Sequence, residues 1–146
     1  MGKNIAAIIE QDEDGLYNFR RVSYQGDGLP FLQRCVGGYI ECVTLNDQID
    51  MWCNEEGKLA GLPINEAATS LWWDWQPAMR NQDVIAGPVV LTCQEAGETT
   101  SLSEDAWASL RDHLAARFFV TILDEVEAEA AAGGDCGGGD DDATGG

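Results

Sequence analysis

Lysine occurs only twice in this sequence, at Lys3 and Lys58, and histidine once, at His113. Basic residues number 8 against 26 acidic ones, so the 146-residue chain carries a formal net charge of −18. A field of that sign repels phosphate backbones and anionic lipid, so direct nucleic-acid binding is not expected where no basic patch is seen. No C-x-x-C pair is present, and the five cysteines, Cys35, Cys42, Cys53, Cys93 and Cys136, are odd in number. Both features argue against a disulfide framework and a zinc ribbon. No apolar run approaches a membrane span, and the N-terminus lacks the basic-then-apolar order of a secretory signal. The expected location is the cytoplasm.

Catalytic and cofactor signatures are equally scarce. Neither G-x-x-x-x-G-K-[ST] nor G-x-G-x-x-G follows a strand, and the Gly137-Gly138-Gly139 run has no helix to feed. Asp12-Glu13-Asp14 lacks the alternating ligands and closing glutamate of a calcium loop. His113 sits between Asp112 and Leu114 and reads as a solvated helix-surface residue. No catalytic residue, metal site or cofactor is assigned, and the chain is expected not to be an enzyme.

What is present is a regular succession of short elements. Asn4–Glu10 and Leu16–Tyr24 read as a hairpin around Asp12-Glu13-Asp14-Gly15, with Tyr17, Phe19 and Arg21 on one face of the second strand. Pro30 suits the first turn of a helix ending at Gly37-Gly38. Tyr39–Leu45 and Gln48–Asn54 form a second hairpin. Asn65 is the cap of a helix whose end carries Trp72, Trp73 and Trp75 before Pro77 stops it. Asp83–Gln94 reads as a strand interrupted at Gly87-Pro88, which suggests a bulge or an edge position. Trp107, Leu110, Leu114, Phe118, Ile122 and Val126 recur every three or four residues, predicting one long amphipathic helix after the Ser101-x-x-Glu104 start. Cys42, Cys53 and Cys93 lie in apolar β-like runs and are expected to pack as small hydrophobes.

The expected fold is therefore α+β: a small, mostly antiparallel sheet built from hairpins, two short helices and one long C-terminal amphipathic helix. Residues 1–130 form a single acidic domain, and 131–146 read as a disordered Gly/Asp-rich tail containing Cys136. Eight acids and no bases lie from Asp124 onward, and without them the charge is still −10.

Val36-Gly37-Gly38-Tyr39-Ile40-Glu41, then Asn54-Glu55-Glu56-Gly57-Lys58-Leu59, Gly61-Leu62-Pro63-Ile64-Asn65 and Asp83-Val84-Ile85-Ala86-Gly87 together resemble a family of small proteins known as domain of unknown function 3846. The resemblance covers about residues 3–93 and leaves the Trp107 helix as an extension particular to this chain. It implies an accessory protein of an actinobacterial phage or mobile element, acting inside a bacterial host, and it implies no activity. The motif glycines and prolines also read as fold punctuation.

Two readings of the tryptophans stay open: a large aromatic lid over the sheet, or a hot spot ringed by acids. On the second, Trp72, Trp73, Trp75, Glu55, Glu56 and Asp74 are the candidate binding residues. The expected function is non-enzymatic binding of a host or phage protein with a basic face, with a DNA mimic or inhibitor of a DNA-binding defence protein as one version. The alternative is a small-molecule or nucleotide-signal binding module. The oligomeric state is left open.

Overall fold

In the first strand, β1 (Asn4–Gln11), Ala6 and Ile8 belong to one buried cluster while Ala7 and Ile9 belong to another. A strand apolar on both faces needs cover on both, which makes it an inner strand of a sheet sandwiched by helices. The computed structural model describes residues 3–128 and shows that arrangement.

β1 pairs antiparallel with β2 (Tyr17–Tyr24). The turn between them is tied by the Asp12 carboxylate, which accepts from the Asp14 and Leu16 N–H groups. Helix α1 (Gly28–Val36) starts at Asp27, whose side chain accepts from Leu29 N, and ends at Gly37, where φ is 81°. The second hairpin, β3 (Ile40–Thr44) and β4 (Ile49–Asn54), turns on Asn46, whose Oδ1 accepts from Gln48 N and Ile49 N at 2.8 Å each. Helix α2 (Glu66–Trp75) is followed by a 3-10 turn at Pro77–Met79. β5 (Val89–Glu95), β6 (Glu98–Thr100), α3 (Glu104–Arg117) and β7 (Val120–Asp124) complete the order.

The sheet runs β3-β4-β5-β1-β2-β7, with β6 paired to β5. Every pairing is antiparallel except β2 with β7, so the sheet is mixed. Helix α1 packs on one face over Ile8, Val22 and Val90. Helices α2 and α3 pack on the other, where Leu71, Trp107, Leu110 and Leu114 meet Ile9, Phe19, Met51 and Leu91. Phe19 and Trp107 stack at 4.5 Å, and the Arg21 guanidinium lies over the same indole.

The expected long C-terminal helix is corrected. It stops at Arg117, Phe118 is extended, and Val120–Asp124 form β7. Two forces favour the strand. Val120, Thr121 and Ile122 are β-branched, and the open edge of β2 offers a full ladder with Phe19 opposite Ile122. Arg20 and Arg21 of β2 fix the end of the strand through Glu125 and Asp124.

The strand expected over 83–94 is also shorter. Only Val89–Glu95 is strand, and it lies between β4 and β1 rather than at an edge. Pro88 precedes the ladder, so its missing N–H costs no sheet bond. Residues 83–87 are instead held by α2 and the segment before it: Ile85 N donates to Thr69 Oγ1, Asn65 N to Ile85 O, and Gly87 N to Pro63 O. Of the three strand cysteines, Cys53 and Cys93 are buried, whereas Cys42 on the edge strand is exposed. The Gly/Asp-rich tail with Cys136 lies outside the described residues.

Candidate functional site

Glu41 and Val43 of β3 stand opposite Cys53 and Met51 of β4, on the sheet face turned toward α2. Helix α2 does not reach the outer edge of that face. A cleft of about 440 Å³ remains between the β3–β4 hairpin, the end of α2 and the 83–86 segment. Trp72, Met79, Ile85 and Cys53 supply apolar lining, and Glu41, Glu55, Lys58 and Asp83 supply charge.

Close backbone packing builds one wall. A Cβ on Gly57 would lie 2.7 Å from Ala86 O, so the turn after β4 sits directly on the 83–87 segment. Gly87 has φ of 88°, and a Cβ there would meet Leu62 at 2.7 Å. These two glycines are required by approach and by conformation. Asn65 locks the segments from beneath: its Oδ1 accepts from Ala68 N at 3.0 Å, and its Nδ2 donates to Gly87 O at 3.0 Å and Ile9 O at 3.2 Å.

Lys58 and Asp83 form an ion pair across the cleft, and the hydrogen bond from Lys58 holds the Asp83 carboxyl below its usual range. Burial, followed by the negative charge of Glu41, pushes the Cys53 thiol up to about 11. A thiol so placed stays protonated and is a poor nucleophile. Burial and the neighbouring Asp50 likewise push Cys42 up to about 11.

A second polar centre lies between α2 and α3. The Asp74 carboxylate accepts from Arg80 at 2.9 Å, His113 Nε2 at 3.0 Å and Arg117 Nε at 3.1 Å. The expectation that His113 is solvated is therefore corrected: its side chain is largely covered, bonded to Asp74 and edge-on to Trp75. Burial and the Arg117 charge outweigh Asp74 and lower the His113 pKa, which favours the neutral ring. Burial would raise Asp74, but Arg80, Arg117 and His113 together hold it below its usual range. A carboxylate shared among three donors is a tie between elements.

Of the candidate binding residues, Trp72 and Glu55 line the cleft, and Glu56 is exposed on the same turn. Trp73 lies beside it, donating from Nε1 to Asp83 O at 2.8 Å. Asp74 and Trp75 face α3 and do not join the others. Trp72 is buried, and Trp73 and Trp75 are half-buried. Sequence reasoning missed Glu41, Asp83 and the Asp74 cluster. Two signals pointed to them: a rare Lys58 and an Asp83 in two separate motif segments, and His113 with Arg117 four residues apart on one helix face.

The model of a protein family described as Domain of unknown function (DUF3846) matches residues 6–115. The chain belongs to this family. The match extends beyond residue 93 and takes in Trp107 and most of α3, so that helix belongs to the family domain and is not an extension particular to this chain. No curated protein and no solved structure matches the chain. Among the described residues no helix is long and apolar enough to cross a membrane, and no group of three or more His, Cys, Asp or Glu is placed to hold a metal ion.

Proposed function

We propose that the chain is a non-enzymatic binding module for a protein with a basic face, acting in a bacterial host as an accessory protein of a phage or mobile element. One observation carries the reading. Arg20, Arg21, Lys58, Arg80, Arg111 and Arg117 are each engaged by the chain's own carboxylates, which leaves the surplus negative charge to face outward. Such a surface steers and selects basic partners. Trp72 is buried and Trp73 and Trp75 are half-buried, so carboxylates carry most of the contact, and an indole adds to it only where it lines the cleft. A protein that grips DNA presents the complementary face, and on this version the module competes with DNA for it.

The test is capture from a bacterial host lysate by the parent chain and by a variant with Glu13, Asp14, Glu55 and Glu56 changed to their amides. A partner retained by the parent at low salt, lost by the variant, released as salt rises and displaced by added duplex DNA supports the reading. Equal capture by both chains sinks it.

The cleft favours a second reading, a small-molecule or nucleotide-signal module, because its volume is that of a ligand site. A thermal-shift screen checks it: nucleotide ligands that raise the melting temperature support it. Three lining carboxylates against one lysine oppose a phosphate-bearing ligand.

A further inference from the structure

We infer that the cleft between the β3–β4 hairpin and α2 is the seat for an arginine side chain of the protein partner. The inference rests on the reading of the chain as a module for a basic protein, and it names where on the module the recognition is specific.

The cleft has two chemically distinct parts. Trp72, Met79 and Ile85 present apolar surface suited to the aliphatic stem of a long side chain. Glu41 and Glu55 stand exposed among the residues that line it. Neither belongs to any of the ion pairs that engage the six cations above. The cleft's own cation, Lys58, is answered by Asp83 and does not oppose an incoming positive charge. Counting Glu41, Glu55 and Asp83 against Lys58 leaves the lining doubly negative.

Arginine fits this set better than lysine. Its planar guanidinium bonds carboxylates from two sides and lies flat against an indole, whereas an ammonium acts as a strongly hydrated point charge. Access is open, because β3 is the edge of the sheet and, among the described residues, no further strand covers its outer side. The buried Cys53 thiol stays neutral and adds no competing chemistry. The site is shaped by Gly57 and Gly87, whose close approaches set the wall.

The experiment uses the full chain, isotopically labelled and followed by NMR. It is titrated with a short lysine-rich peptide carrying one central arginine, with the counterpart that has lysine in its place, and with agmatine. Saturable shifts confined to Glu41, Glu55, Lys58 and the Trp72 indole are expected with the arginine peptide. Its binding should weaken about tenfold or more in the Glu41→Gln/Glu55→Gln double variant, a loss of about 1.4 kcal/mol. Both side chains are exposed, so the variant keeps the fold. Equal binding of the two peptides overturns the arginine assignment, and agmatine binding as tightly as the arginine peptide overturns the protein source in favour of a free cation. Shifts that spread to the Asp12–Asp14 turn, or none at all, overturn the site. Failure here is distinguishable from failure of the wider reading. A lysate partner that Glu41→Gln/Glu55→Gln retains and the four-site amide variant loses removes the cleft and leaves the module standing.

Discussion

On one face of the sheet a single helix, α1, closes a small cluster made by Ile8, Val22, Phe31, Leu32, Val36 and Val90, with Tyr24 stacked on Phe31 at 4.2 Å. On the opposite face two helices close a cluster that draws on six of the strands, and they still leave the β3–β4 edge uncovered. Function is expected where cover is incomplete and polar groups converge, and the wider face meets both conditions. The narrower face is sealed mostly by residues from the first 36 positions, with Val90 joining from β5. The wider one depends on contacts between segments far apart, which is why its wall needs Gly57, Asn65 and Gly87.

Replacing one aromatic on each face breaks the comparison most strongly. Phe19→Ala removes a fully buried ring and its stack on Trp107, and a loss of about 4 kcal/mol is expected in urea unfolding. Phe31→Ala borders solvent on the α1 side, where the gap is relieved more easily, and about 2 kcal/mol is expected. Equal losses would mean that the two faces contribute alike.

Asn65→Ala sharpens the point for the wall of the cleft. It strips the α2 cap and leaves Ile9 O and Gly87 O without their shared donor, at an expected cost of about 2 kcal/mol. Amide exchange should accelerate locally at 83–87 as well as globally. A purely global effect would show that Asn65 is only a helix cap.

The smallest effect concerns the Asp74 cluster. The folded His113 pKa lies below its ordinary 6.5, so the unfolded chain takes up that proton first as pH falls. The associated stability is complete above 6.5 and is lost between 6.5 and the folded value. Asp74, also lowered, contributes stability present above its ordinary 3.8 and lost as pH falls from there through its folded value. The drop in melting temperature from pH 7 to pH 5 should therefore shrink in His113→Gln, which keeps an N–H donor for Asp74. An unchanged drop would assign the titration to another group.

The β1–β2 and β3–β4 hairpins and the starts of α1, α2 and α3 were legible in the sequence, because Pro30, Asn65 and the Ser101-x-x-Glu104 pattern act locally, although Asp27 and Ser103 are seen as the caps only in the structure. The C-terminal third was misread for an arithmetical reason. Phe118, Ile122 and Val126 are spaced by four, which satisfies both the helical period and the two-residue period of a strand. The deciding fact was non-local: an unfilled β2 edge with Arg20 and Arg21 waiting for Asp124 and Glu125. For the site, Trp72 and Glu55 were legible as candidates, whereas Glu41 and Asp83 become partners only when β3 and the 83–86 segment are brought together.

The parallel pairing of β7 with β2 has a consequence for biosynthesis. A strand near the start of the chain receives its neighbour more than ninety residues later, with Tyr17 opposite Val120. While the ribosome is still translating the intervening segments, the β2 edge is bare, and an unpaired edge invites pairing with other nascent chains. The β2 arginines meet Glu125 and Asp124 only once the segment holding β7 has emerged, so that edge is the last part of the sheet to be completed.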